Sequence, residues 1–160
     1  MCRKPRFPQV AKMVQGSEAL ARKLAAIKAK VPPVIRPVLV KSGEEIAADA
    51  RSLAEASRRS GGLIESIQVT GPGGTTPSHS TKGGSRTAGE WEVLVTAGDS
   101  DARHAHLVEG GTGERRHKDG TPTGSMPAKP FFNPAFRLNR ERLKRRINRA
   151  FRKAIREASQ

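Results

Sequence analysis

The chain has 160 residues, with 30 lysines and arginines against 15 aspartates and glutamates, for a formal net charge of +15. That length suits one domain with a modest core, and a hydrophobic share of 35% leaves little apolar material beyond it. A single cysteine, Cys2, excludes a disulfide framework, and no apolar run approaches the ~20 residues of a membrane-spanning helix. The opening MCRKPRFPQV is basic without the apolar stretch of a signal peptide, so a soluble protein of the reducing cytoplasm is expected. Residues 1–16 read as an irregular arm and 17–160 as a single domain. Ser17 is a candidate N-cap, and Leu20, Leu24 and Ile27 at i, i+4, i+7 predict an amphipathic helix. Val31-Pro32-Pro33 is expected to end it. A second helix is predicted from Val34 to Ser57, with Pro37 in its first turn and Ile35, Val38, Leu39, Ile46, Ala50 and Leu53 on one face. Gly43 is a weak point that can split this helix, and RRSGG at 58–62 stops it.

Residues 63–70, LIESIQVT, then read as a strand with Leu63, Ile67 and Val69 on one side. A cleaner strand is predicted at 90–97, where Trp91, Val93 and Val95 alternate with Glu90, Glu92 and Leu94. Between them, 71–89 is almost all Gly, Ser, Thr and Pro. It reads as a long flexible hairpin loop. A short apolar piece around 102–109 and another loop follow. In the C-terminal helix Asn133 is the expected N-cap and Pro134 the first helical residue, with Phe132 packing back on the first turns. Phe136, Leu143, Ile147, Phe151, Ala154 and Ala158 form its apolar stripe. The fold expected is α+β: a small antiparallel sheet packed against a long helix and a basic C-terminal helix.

The chemistry available is narrow. His104, His106, Glu109 and His117 fall within fourteen residues as a candidate metal set, and in a strand His104 and His106 would point the same way. No HExxH or cysteine pair supports them. GGTGERR and TKGGSRTAG offer glycine with basic residues but lack phosphate-loop spacing. No serine stands in a GxSxG elbow, and nothing separates Asp99, Asp101 and Glu109 into an acid and a base. No catalytic, cofactor-binding or metal-binding residue is therefore assigned, and the chain is not expected to be an enzyme. A hydrolase or metalloenzyme is the reading that metal analysis and a nuclease assay would test. The strongest feature is the final helix, where the cations Arg137, Arg140, Arg142, Lys144, Arg145, Arg146, Arg149, Arg152, Lys153 and Arg156 face only Glu141 and Glu157. Such a surface favours phosphates or acidic protein neighbours. Because the phenylalanines lie on or before its apolar face, no aromatic set is left to stack bases, and sequence-specific reading is not expected.

Three local patterns, in order, resemble the tail-component family of long-tailed phages typified by Hong Kong 97, whose members serve as neck or tail-completion proteins. SGGLIESI at 60–67 matches a small-residue and glycine turn followed by Leu and Ser-Ile, carried by Gly62, Leu63 and Ser66. HAHLVEGGT at 104–112 matches at Ala105, Val108, Glu109, Gly111 and Thr112, with His104 where the family has tyrosine and Gly110 where it has an aromatic residue. PAKPFFNPAF at 127–136 matches a proline and phenylalanine clamp leading into the last helix, carried by Pro130, Phe131, Phe132 and Pro134. The helix before SGGL lacks a proline common in the family, and one extra glycine is present.

The resemblance spans about residues 35–155. It implies a structural virion protein that forms a homo-oligomeric ring, a hexamer or alternatively a dodecamer, at the head–tail junction. Such a ring acts as a connector, tail-completion or tail-terminator component. Genomic DNA would pass through the ring non-specifically, and the partners would be neighbouring connector, stopper or tail-tube proteins, with no membrane. Assembly would take place in the bacterial cytoplasm. Arg145, Arg146, Arg149, Arg152 and Arg156 would then face DNA or an adjoining ring. The alternative is a non-specific nucleic-acid-binding protein acting outside a virion.

Overall fold

Val31-Pro32-Pro33 does not end the first helix. In the computed structural model, which describes residues 16–80 and 84–159, helix α1 runs unbroken from Ser17 to Ala54, with Pro32, Pro33 and Pro37 inside it. Each proline deprives a carbonyl one turn earlier of its donor, a cost of about 3 kcal/mol in a helix interior. Burial opposes that cost. Val31 and Ile35 are buried against Ala154 of the last helix, with Ile27, Leu39, Ala150 and Ile155 packed around them. Each fully buried Val or Ile contributes about 1.5–3 kcal/mol. A break at 31–33 would rotate these side chains off their common face. The helix also begins one residue earlier than expected: Gly16, at φ 107°, is the N-cap, and Ser17 is already helical.

The C-terminal helix α4, Phe132–Ser159, lies antiparallel to α1. Early α1 meets late α4 at Val31, Ile35 and Ala154, and late α1 meets early α4 where Asp49 accepts a hydrogen bond from the Asn139 amide. The contact is made of small side chains. Ala47, Ala50, Ala54 and Ala135 are all fully or almost fully buried, which lets the two backbones approach closely. The α4 stripe therefore differs from the expected one. It runs through Ala135, Asn139, Leu143, Ala154 and Ala158, while Phe136 and Phe151 stand 47% and 42% exposed.

After a 3₁₀ turn at Glu55–Ser57, the chain reverses at Gly61, whose φ of 92° suits glycine. The expected strand at 63–70 divides in two. Gly62–Glu65 is one helical turn, α2, and only Gln68–Thr70 is strand β1. Leu63, Ser66 and Ile67 are buried at i, i+3, i+4 while Glu65 is exposed, so the helical period prevails over alternation there. The second strand, β2, is likewise short, Leu94–Thr96, because residues 89–92 turn, and Trp91 is 46% exposed. β1 and β2 pair antiparallel with Val69 opposite Val95.

This two-stranded sheet sits on α1 at Gly43. A Cβ there would lie 2.8 Å from Val93 Cγ1 and 3.0 Å from Val69 Cγ1. The glycine that could have split the helix is instead the seat of the sheet. Its cost in helix propensity, about 1 kcal/mol, accompanies the close approach.

The segment 71–89 is a hairpin, and its described stem is paired. Gly73 N donates to Ala88 O, Ala88 N to Gly74 O and Thr76 N to Arg86 O, at 3.1, 2.8 and 2.9 Å. Thr75 and Thr87 form a bridge, and the tip at 81–83 lies outside the described residues. A second hairpin, where only a loop was expected, joins β3, Thr112–Arg116, to β4, Pro122–Met126. Almost every residue in it is exposed. Among the described residues no helix is long and apolar enough to cross a membrane.

Candidate functional site: the Glu109 cap and the faces of the C-terminal helix

Glu109 lies near the end of helix α3, Ala105–Gly110, whose Ala105 and Val108 are buried. Asp99 sets the entry to this helix: its Oδ1 accepts from the backbone N–H of Asp101 and Ala102 at 2.9 and 2.8 Å. That makes Asp99 a turn-forming residue. Anchored in this way, α3 aims the Glu109 carboxylate at the start of α4. Oε2 accepts from the N–H groups of Phe131 and Phe132, both at 2.8 Å. Oε1 accepts from the backbone N–H of Asn133 at 2.9 Å and from its side-chain amide at 2.8 Å. The first N–H groups of any helix lack intrahelical acceptors, and a carboxylate there also meets the positive end of the helix dipole. Glu109 is thus the cap of α4, supplied from another element. The expected cap, Asn133, lies inside the helix and donates to Glu109. Burial pushes the Glu109 carboxyl up. The N–H groups of Phe132, Phe131 and Asn133, with the Asn133 amide, more than offset this and hold it below its ordinary value of 4.5.

The residues beside Glu109 close the same joint. Gly111, at φ 71°, lets the chain pass so near that an added Cβ would stand 2.7 Å from Ala128 N. Thr112 Oγ1 accepts from Met126 N at 3.0 Å, and Val108 O accepts from Lys129 N at 2.9 Å. Gly110 has nothing within 4 Å of an added Cβ, so the missing aromatic residue leaves no hole in the packing. Phe131 is 1% exposed, the largest fully buried side chain among the described residues, and meets Phe132 edge to face with ring centroids 6.3 Å apart. Leu63, Ile67, Val108, Phe131 and Ala135 share one core cluster. Ser66 Oγ, fully buried, donates to Leu63 O at 2.7 Å and accepts from Gly98 N at 3.0 Å. Gly62 opens α2, Pro130 is exposed, and Pro134 is half-buried within the first turn of α4.

The basic residues of α4 fall into two groups. Arg146 is turned inward: it binds Glu45 of α1 at 2.7 Å, and Arg142 reaches the same carboxylate at 3.2 Å and also donates to Asn139. Arg146 hydrogen bonding, against the opposing effect of burial, and the charges of Arg146, Arg142 and Lys41 hold Glu45 below its ordinary value. Arg146 is therefore an internal tie, and the expected interface role does not fit it. Arg145, Arg149, Arg152 and Arg156 are exposed and make no ion pair among the described residues. Their spacing of i, i+4, i+7, i+11 places them on one line of the helix, away from α1.

His104 and His106 lie at the start of α3, not in a strand, and so point apart. His104 lines a hollow with Arg58 and Lys129, whereas His106 stands near Phe132. Among the described residues no three His, Cys, Asp or Glu side chains come close enough to hold a metal ion. The TGERR part of GGTGERR forms β3, and in the second glycine cluster Arg86 is tied to Glu92 at 2.7 Å.

No known family model, curated protein or solved structure matches this chain. Sequence reasoning missed the Glu109 cap, for which no local signal exists, because donor and acceptor lie more than twenty residues apart. It also missed the β3–β4 hairpin, which Asp119-Gly120 could have signalled. Asp119 Oδ1 accepts from Thr121 N at 3.0 Å, and Gly120 takes a φ of 85°.

Proposed function

We propose that the chain is a structural ring subunit of a phage neck, at the head–tail junction, with DNA passing through the ring. The observation that carries this reading is the convergence of the three resembling motifs on one joint. Leu63 and Ile67 from the first, Val108 from the second and Phe131 from the third pack in one cluster, and Glu109 caps the helix that the third begins. The joint aims α4 rigidly. A ring subunit needs such an element, because closed cyclic assemblies use heterologous contacts whose angle decides closure. The exposed line Arg145, Arg149, Arg152 and Arg156 supplies positive charge for DNA in the channel or for an acidic adjoining ring. The ring is a hexamer, with a dodecamer as the alternative.

Locating the chain in purified particles by electron microscopy tests this. A ring at the junction is the expected result, and absence from mature particles overturns it. The same arginine line supports a second reading, a non-specific nucleic-acid-binding protein acting outside a virion. That reading predicts a monomer or dimer with steeply salt-dependent DNA binding and no place in particles.

A further inference from the structure

Beside the residues of helix α4 that pack on α1 runs a further apolar line, which shares the buried Leu143 with them. Phe136, Leu143, Ile147 and Phe151 follow at helical spacing on one side. With Leu39 of α1 and Trp91, the part of this line from Phe136 to Ile147 walls an open groove of about 500 Å³. Trp91 and Phe136 are 46% and 47% exposed there, in a chain with only one tryptophan and 5 phenylalanines. Large apolar side chains grouped in water mark a contact surface.

Charge selects the occupant. Arg140 and Lys144 line the groove and form no ion pair among the described residues. The nearby acids Glu90 and Glu92 are each engaged, by Arg36 and Arg86 at 2.7 Å. The uncompensated charge at the rim is therefore positive. A second copy, at +15, brings the wrong sign, and so does the chain's own 1–15 segment, which holds Arg3, Lys4, Arg6 and Lys12 and no acid. From Phe136 to Ile147 the groove follows about 16 Å of helix, roughly three turns.

We propose that this groove binds an amphipathic helix of a different protein. The helix would seat bulky aliphatic residues between Trp91 and Phe136 and set Asp or Glu against Arg140 and Lys144. This rests on the neck reading only for the source of the helix, an adjoining neck or tail protein.

Trp91 is the sole tryptophan and reports directly on the groove. The probe is a synthetic helical peptide with leucines at i, i+4, i+7 flanked by glutamates, and the control carries lysines in place of the glutamates. The acidic peptide is expected to shift Trp91 emission to the blue, and the lysine peptide to leave it unchanged. Phe136→Ser should weaken binding by roughly tenfold or more. Ile147→Ser, at another position lining the groove, provides the same test if Phe136→Ser fails to fold. Arg140→Glu with Lys144→Glu should transfer the preference to the lysine peptide.

No response to the acidic peptide, or an equal response to both, overturns the proposal. So does a blue shift on raising protein concentration without peptide, which would assign the groove to a second copy. A chain that binds the acidic peptide but is absent from particles loses the neck reading alone; one found in particles without peptide binding loses the groove alone.

Discussion

The two sides of α4 follow different physics. The side facing α1 is built from alanines, one leucine and a buried asparagine; Arg142 and Arg146 are tied to Glu45, and the Asn139 amide to Asp49. The opposite side carries arginines with no ion pair among the described residues and contributes little to holding the fold. Small residues bring two helices together, and the buried polar ties fix how they align. The solvated arginines remain available for a partner. The face that holds the fold and the free cationic face are thereby separated by about half a turn of one helix.

Four measurements can break or sharpen that contrast. The largest effect is expected from Phe131→Ala, which empties a fully buried aromatic site at the root of α4. It should destabilise the domain by about 3–5 kcal/mol in denaturant unfolding. A loss under about 1 kcal/mol would show that α4 is not anchored there. Asn139→Ala comes next. It removes the donor to Asp49 and strands a half-buried carboxylate, so a loss of about 1–3 kcal/mol is expected.

Glu109→Gln keeps the size of the cap, removes its charge and allows fewer N–H groups to be accepted. About 1–2 kcal/mol should be lost near neutral pH. Because the folded carboxyl is held below 4.5, its contribution is full above that pH and declines as pH falls through the folded value. The stability gap between wild type and Glu109→Gln should therefore narrow in acid, and a gap that is constant from neutral to acid pH would contradict the cap. The smallest stability effect is expected from Arg149→Glu with Arg152→Glu, within about 0.5 kcal/mol of wild type. The same double change should block assembly into particles, with Arg→Lys at both sites giving a partial defect. Normal head–tail joining by the charge-reversed chain would remove the assembly role of this face.

The local chemistry of the sequence was enough to place the main elements. Helical periodicity through Ile35, Leu39, Ile46 and Ala50 marks α1, and the cationic run after Pro134 marks α4. Alternating valines identify the hairpin around Val69 and Val95. These signals are local because they depend only on which neighbours share a face. Local rules erred where distant burial outweighed them. Prolines 32, 33 and 37 stay helical because Val31 and Ile35 meet Ala154 more than a hundred residues away. Gly43 is explained only by the sheet resting on it.

The candidate site divides in the same way. Its residues could be named from motifs in the sequence, but the role of Glu109 exists only after α3 and α4 meet, since a helix cap supplied from another element leaves no trace in local spacing. Sequence also singled out the large apolar residues of α4 without showing which side they serve. The tertiary structure assigned the alanines to the interior, because close approach of two helices rewards small side chains. It left Phe136 and Phe151 facing outward.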